Sequence, residues 1–221
     1  MSLNTIFDLD GTLVETEQVW RDARREFVLA HGGRWRDDAQ TTMIGMRTAE
    51  WAAFIHESLG VALPTGKIAR LVVDDVVTRL KSVPILPGAP AALERTSREF
   101  RLGLATSAAR PVAETVLANT GWAKYFEVVV SADDVARGKP APDVYLRALE
   151  LMHANTERTV AVEDSTNGIR SANAAGLPTI AIPNREFPPS PDALALAASV
   201  IPDLNALSVS LVKSLVRAET P

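Results

Sequence analysis

The 221-residue chain contains no cysteine, which excludes disulfides, thiolate metal sites, iron–sulfur clusters and a cysteine nucleophile in one step. It also lacks any run of about 18 apolar residues, so no segment reads as a membrane span. A basic excess is missing too: 23 Lys and Arg stand against 27 Asp and Glu, for a formal net charge of −4. Without a basic field nothing is there to hold a nucleic-acid backbone or an anionic membrane, and neither is an expected partner. Glycine and proline, 12 and 14 residues, are too few for a fibrous or low-complexity chain. The opening MSLNTIFDLDG has acids where a secretory signal would be apolar, so the expected setting is the cytoplasm. What is present is an ordinary globular composition, 47% hydrophobic and 23% charged, long enough for one large domain or two small ones.

Hydrophobic periodicity divides the chain. Thr5-Ile6-Phe7-Asp8 is a short apolar run ending in acid, the pattern of a buried central strand that delivers a carboxylate at its C-terminal end. From Thr16 to about Pro84 the pattern is helical. Trp20, Ala23, Phe27 and Ala30 form one stripe, Ile68, Val72, Val76 and Leu80 another, and Ala49 to Leu59 reads as a helix between them. After the turn-rich Pro84–Gly88, strands are expected over 102–106, 127–131, 159–163, 178–182 and 199–201. Helices are expected near 89–98, 111–120, 142–154, 166–176 and 204–217, with a frayed end at Ala218–Pro221. Continuous apolar strands alternating with helices predict an α/β fold, a Rossmann-like doubly wound parallel sheet with one helical block inserted after the first strand.

Ligands of such sheets bind beyond the C-terminal strand ends, near the point where strand order reverses. That edge collects Asp8 and Asp10 after the first strand, Thr106 and Ser107 after the second, Lys139 after the third, and Glu163 and Asp164 at the end of the fourth. Four clustered carboxylates raise one another's pKa values unless cations offset them. A lysine and a hard divalent ion would do so, and oxygen ligands of this kind suit Mg²⁺. Such an edge is suited to receiving a phosphate.

Four segments carry a family resemblance. Phe7-Asp8-Leu9-Asp10-Gly11-Thr12-Leu13-Val14, Ala105-Thr106-Ser107, Gly138-Lys139-Pro140-Ala141-Pro142-Asp143 and Val162-Glu163-Asp164-Ser165 with Gly168 resemble, in order, the four motifs of the haloacid dehalogenase superfamily. The helical block resembles the α-helical cap of the subgroup that contains β-phosphoglucomutases and sugar-phosphate phosphatases. The resemblance implies a catalytic core over 1–15 and 85–221, a cap over 16–84, and a Mg²⁺-dependent phosphatase acting on a small phosphorylated metabolite. It implies Asp8 as the nucleophile that forms an aspartyl-phosphate and Asp10 as the acid that protonates the leaving oxygen and then activates water. Thr106 and Lys139 would hold the phosphoryl oxygens. The metal ligands would be the carboxylates of Asp8 and Asp164, the backbone carbonyl of Asp10, and Glu163 directly or through water, with Asn167 a candidate support.

A tyrosine in place of Asp10 would point to dehalogenation. β-Phosphoglucomutases carry a histidine where this chain has Trp20, a lysine where it has Ile44, and Ser and Asn where it has Ala108 and Arg110. These departures favour the phosphatase over a phosphomutase. A non-catalytic phosphometabolite-binding module would be favoured by loss of Asp8 or Lys139, and both are present. Ser107, Arg47 in the cap loop and Arg110 are the residues expected to bind substrate. The cap is expected to move about its two crossings to the core, near Val14–Glu17 and Ser82–Pro87.

Overall fold

A computed structural model describes residues 3–216; the expected frayed end at Ala218–Pro221 lies outside the described residues. Strand β1 (Asn4–Phe7) is buried along its whole length. It lies at the centre of a parallel sheet with β2 (Arg101–Ala105), β3 (Phe126–Val130), β4 (Thr159–Glu163), β5 (Thr179–Ala181) and β6 (Ser199–Val200), in the order β3-β2-β1-β4-β5-β6. Ile6 is in register with Gly103 on one side and Ala161 on the other. β1 begins with two buried polar side chains, Asn4 and Thr5; Asn4 Nδ2 donates to Thr159 Oγ1 at 3.2 Å, which pairs an N–H that burial would otherwise penalise.

Helices cover both faces, which is why the middles of the central strands β2 and β4, and the end of β1, run apolar rather than alternating. Ile6, Ala105, Val130 and Ala161 pack on α7 (Asp143–Leu151) and α8 (Thr166–Ala174). Phe7, Leu102, Leu104, Val160 and Val162 face the side covered by α5 (Ala89–Ser97), α6 (Arg110–Thr120) and α10 (Val209–Leu215). The helix expected over 204–217 is interrupted: a 3₁₀ turn spans Leu204–Ala206, and α10 begins afresh after Ser208, whose hydroxyl accepts from Leu211 N at 3.1 Å. A short α9 (Pro191–Leu194) precedes β6. No helix among the described residues is long and apolar enough to cross a membrane.

Between β1 and α5 lie α1 (Glu17–Ala30), α2 (Ala39–Met43), α3 (Thr48–Glu57) and α4 (Thr65–Arg79), with no strand among them; they form the helical cap. The α4 stripe Ile68, Val72, Val76 and Leu80 is fully buried. On α1 the buried face differs from the expected stripe. Ala30 is exposed and Phe27 only partly buried, and the face turned inward is Trp20, Ala23, Arg24 and Val28. The two crossings between cap and core run side by side: Glu15 N donates to Pro84 O at 2.7 Å, and Leu86 N to Leu13 O at 3.0 Å. They form a short two-stranded ribbon at the base of the cap.

Candidate active site

The C-terminal ends of β1, β2 and β4 and the loop before α7 meet where strand order reverses, and the cap closes over them. Gly11 makes the turn after β1 with φ +84°, and a β-carbon there would collide with the Asp164 carboxylate. Gly168, in the first turn of α8, likewise leaves room that the Glu163 carboxylate fills. These two glycines let backbone approach acid groups that any side chain would displace.

Lys139 is the centre of the core half. Its ammonium, 4% exposed, donates to Asp8 Oδ1 at 2.6 Å, to Glu163 Oε1 at 2.6 Å and to the Ala105 carbonyl at 3.0 Å. An ammonium has three hydrogens, so in this state all are used. Burial pulls the Lys139 pKa down, but the charges of Asp8 and Glu163 outweigh it and the net shift is upward, which keeps the residue protonated. Glu163 also accepts from Tyr145 OH at 2.7 Å and from Asp164 N at 3.1 Å, so a fully buried carboxylate is completely satisfied. Burial pushes Asp8 well above the usual carboxylate range; Lys139 opposes this, while Glu163 and Asp10 add to it. Asp164 is raised in the same direction by burial and by the charges of Asp8 and Glu163.

Asp8, Glu163 and Asp164 place carboxylate oxygens within 4.8 Å of one another. The donors are all hard oxygens, and two of the three acids are destabilised in their charged form by burial and mutual repulsion. One divalent cation would relieve both strains, so the triad fits Mg²⁺. The Asp10 carboxylate lies outside this triad, and the ligand expected from that residue is its backbone carbonyl.

Asp10 accepts from Thr16 Oγ1 on one oxygen and from Thr106 Oγ1 at 3.2 Å on the other. Burial raises its pKa, and the two hydroxyls hold that rise in check. Thr106, expected at the phosphoryl oxygens, therefore gives its proton to Asp10 and accepts from Ala108 N at 3.0 Å; in this state it orients the acid. Ser107 lines the pocket but donates to the cap, to Gly45 O at 3.0 Å. Asn167, considered as a metal support, makes the companion contact to Ile44 O at 3.0 Å. Together these two side chains tie the cap loop down over the core.

Neither arginine expected at the substrate lines the pocket. Arg47 caps the start of α3, and its side chain is held by Glu50 at 3.3 Å. Arg110 lies at the start of α6, paired with Asp134 and 3.7 Å from Glu114. A local acid engages each side chain, Glu50 at the Arg47 Nε and Asp134 with Glu114 at the Arg110 fork. The residues the sequence did not single out for the site are Arg24 and Glu17 on α1, which form the cap wall with Trp20, Trp51, Met43 and the 44–46 loop. Loss of solvent pushes the Glu17 carboxyl up to about 7; Arg24 and Gln40 oppose that rise, and Asp10 and Glu15 add to it. Gln40 Nε2 donates to Glu17 Oε2 at 2.8 Å. Glu17 and Arg24 were findable in principle, since both fall on the side of α1 that carries Trp20.

Residues 5–182 match the family described as haloacid dehalogenase-like hydrolase. The chain is 37% identical to the protein CbbY of Rhodobacter capsulatus, over 95% of this chain and 97% of that one. It is 33% identical to the fructose-1-phosphate phosphatase YqaB of Escherichia coli strain K12, over 79% of this chain and 93% of the relative. Its fold superposes on the crystal structure of CbbY from Rhodobacter sphaeroides in complex with phosphate with a TM-score of 0.86, at 30% identity, covering 96% of this chain and 100% of the other.

Proposed function

The chain belongs to the haloacid dehalogenase-like hydrolases, and from that membership we propose that it is a Mg²⁺-dependent phosphatase of a small phosphorylated metabolite, working through Asp8. The observation that carries the reading is the pairing of two acids with different surroundings on one pocket floor. Asp8 is held by an ammonium at 2.6 Å, whereas Asp10 is held by two hydroxyls. Burial raises both acids, so it is the bonded partners that tell them apart: the Lys139 ammonium favours the ionised, nucleophilic form of Asp8, whereas Asp10, bonded to hydroxyls and to no cation, is the group suited to carry a proton.

In the first step an Asp8 oxygen forms a bond to phosphorus, the bond from phosphorus to the leaving oxygen breaks, and Asp10 gives that oxygen its proton. In the second step water forms a bond to phosphorus, Asp10 takes the water's proton, and the aspartyl-phosphate bond breaks to return the Asp8 carboxylate. Thr16 and Thr106 keep Asp10 aimed at both tasks. Lys139 contributes its positive charge next to the transferring group and holds Asp8 in place. Asp8, Asp164 and Glu163, with the Asp10 carbonyl, would hold Mg²⁺, which would offset negative charge on the phosphoryl oxygens. The proposed setting is the cytoplasm.

The experiment is hydrolysis of a generic aryl phosphate by the purified enzyme, with Mg²⁺ and after thorough chelation. Phosphate release that needs Mg²⁺ and disappears in Asp8→Asn is expected. Release that survives chelation, or persists in Asp8→Asn, overturns the reading.

A further inference from the structure

Arg24 occupies a position in which an arginine is ordinarily paired. It is 4% exposed, it lines the pocket from the cap side, and its guanidinium carbon lies 4.6 Å from the centre of the Trp20 ring and 5.0 Å from that of Trp51. The two rings meet edge to face at 5.9 Å, so the guanidinium plane is held by aromatic surfaces rather than by acceptors. Among the described residues no hydrogen bond or ion pair engages its donors, and Nε is buried without a partner. Glu17 and Asp10 act on Arg24 through space but do not pair with it. A buried charge with five unused N–H donors is costly unless something arrives to accept them. Lys139, by contrast, is already saturated by Asp8, Glu163 and the Ala105 carbonyl.

We propose that Arg24 binds a second oxyanion, a carboxylate or a further phosphate, carried on the leaving group of the substrate. The substrate class is then a phosphomonoester with an anionic leaving group, not a neutral polyol phosphate. This rests on the phosphatase reading of the same pocket and adds the chemistry of the substrate's far end. A hydroxyl would accept a hydrogen bond from the fork but leave its charge uncompensated. An oxyanion does both, and the planar fork matches two oxygens at once. The indole walls exclude water from the contact and so strengthen it.

The test uses three matched phosphonates that cannot be hydrolysed, titrated calorimetrically into the Mg²⁺-loaded enzyme: propylphosphonate, 3-phosphonopropionate and propane-1,3-bisphosphonate. At least one of the two compounds with a second anion is expected to bind about 10-fold or more tightly than propylphosphonate, and the stronger of them identifies carboxylate or phosphate as the second group. In Arg24→Gln the three affinities should converge to within about threefold, and Arg24→Lys should recover part of the preference. Equal affinities in the wild-type enzyme, or a preference that survives in folded Arg24→Gln, overturn the proposal and leave Arg24 as a counter-charge to Asp10 and Glu17. If Arg24→Gln does not fold, the wild-type comparison still decides. Failure of the phosphatase reading shows separately, as absence of Mg²⁺-dependent phosphate release from any ester, because the phosphonate titration reads binding alone.

Discussion

The two walls of the pocket are built on opposite principles. On the core wall every charged group has a bonded partner within the protein: Lys139 with Asp8 and Glu163, Glu163 with Tyr145, Asp10 with Thr16 and Thr106. On the cap wall Arg24 has aromatic faces and no acceptor. A saturated network is rigid before substrate arrives, which suits groups that must meet phosphorus at a fixed geometry. An unsaturated one gains most when a ligand completes it, which suits selection. On the proposed reading, chemistry belongs to the core wall and choice of substrate to the cap wall.

The comparison is tested most severely at Lys139. Lys139→Ala would leave two buried carboxylates without their shared cation, at a cost of about 3–5 kcal/mol. Urea denaturation of the metal-free protein measures this, and activity toward every substrate should fall together. Unchanged stability would mean that the core wall is not the saturated network described.

Glu17 sharpens the comparison from the cap side. Its folded pKa lies above the ordinary 4.5, near 7, so ionising it costs the folded state. The stability it does not oppose below about 4.5 is lost progressively as pH rises to about 7, by roughly 1–3 kcal/mol. Glu17→Gln should remove that slope from a plot of unfolding free energy against pH. A parallel slope in the variant would show that Glu17 does not titrate in this window.

Smaller effects are expected where the walls meet and beyond the pocket. Ser107→Ala breaks the bond to Gly45 O, worth about 0.5–1.5 kcal/mol, and should raise KM more than it lowers kcat, because it loosens closure without touching Asp8. A kcat loss that exceeds the KM change would place Ser107 in the chemistry. Arg47→Ala and Arg110→Ala remove exposed ion pairs of the kind worth about 0–1 kcal/mol, and steady-state kinetics should change by no more than about threefold. A tenfold loss in either would return that arginine to the substrate.

The core was the more legible half, for a physical reason. A buried parallel strand is a continuous apolar run, and the residue that follows it lies at the ligand-binding edge whatever the rest of the fold does. Asp8, Thr106, Glu163 and Asp164 could therefore be placed together before any coordinates. The bonds they form could not: nothing in a linear motif shows that Thr106 turns its proton toward Asp10, or that Glu163 shares Lys139 with Asp8. The cap was harder because several residue sets on one helix satisfy a 3.6-residue period. Trp20-Ala23-Phe27-Ala30 is an acceptable apolar stripe, yet the face rotates to Trp20-Ala23-Arg24-Val28, bringing a charge inward. Arg47 and Arg110 had the right chemistry, but Glu50 and Asp134 engage their side chains. α2 and α9 span one turn or slightly more, too short for any period to appear.

The central claim is that Asp8 carries the phosphoryl group. The most direct measurement is rapid acid quenching of the enzyme during turnover of a radiolabelled aryl phosphate with Mg²⁺, followed by proteolysis and mapping of the label. The expected result is a hydroxylamine-sensitive label on the peptide containing Asp8, absent after chelation and absent in Asp8→Asn. Label on another peptide, or steady phosphate release by Asp8→Asn with no protein-bound phosphate, would contradict it.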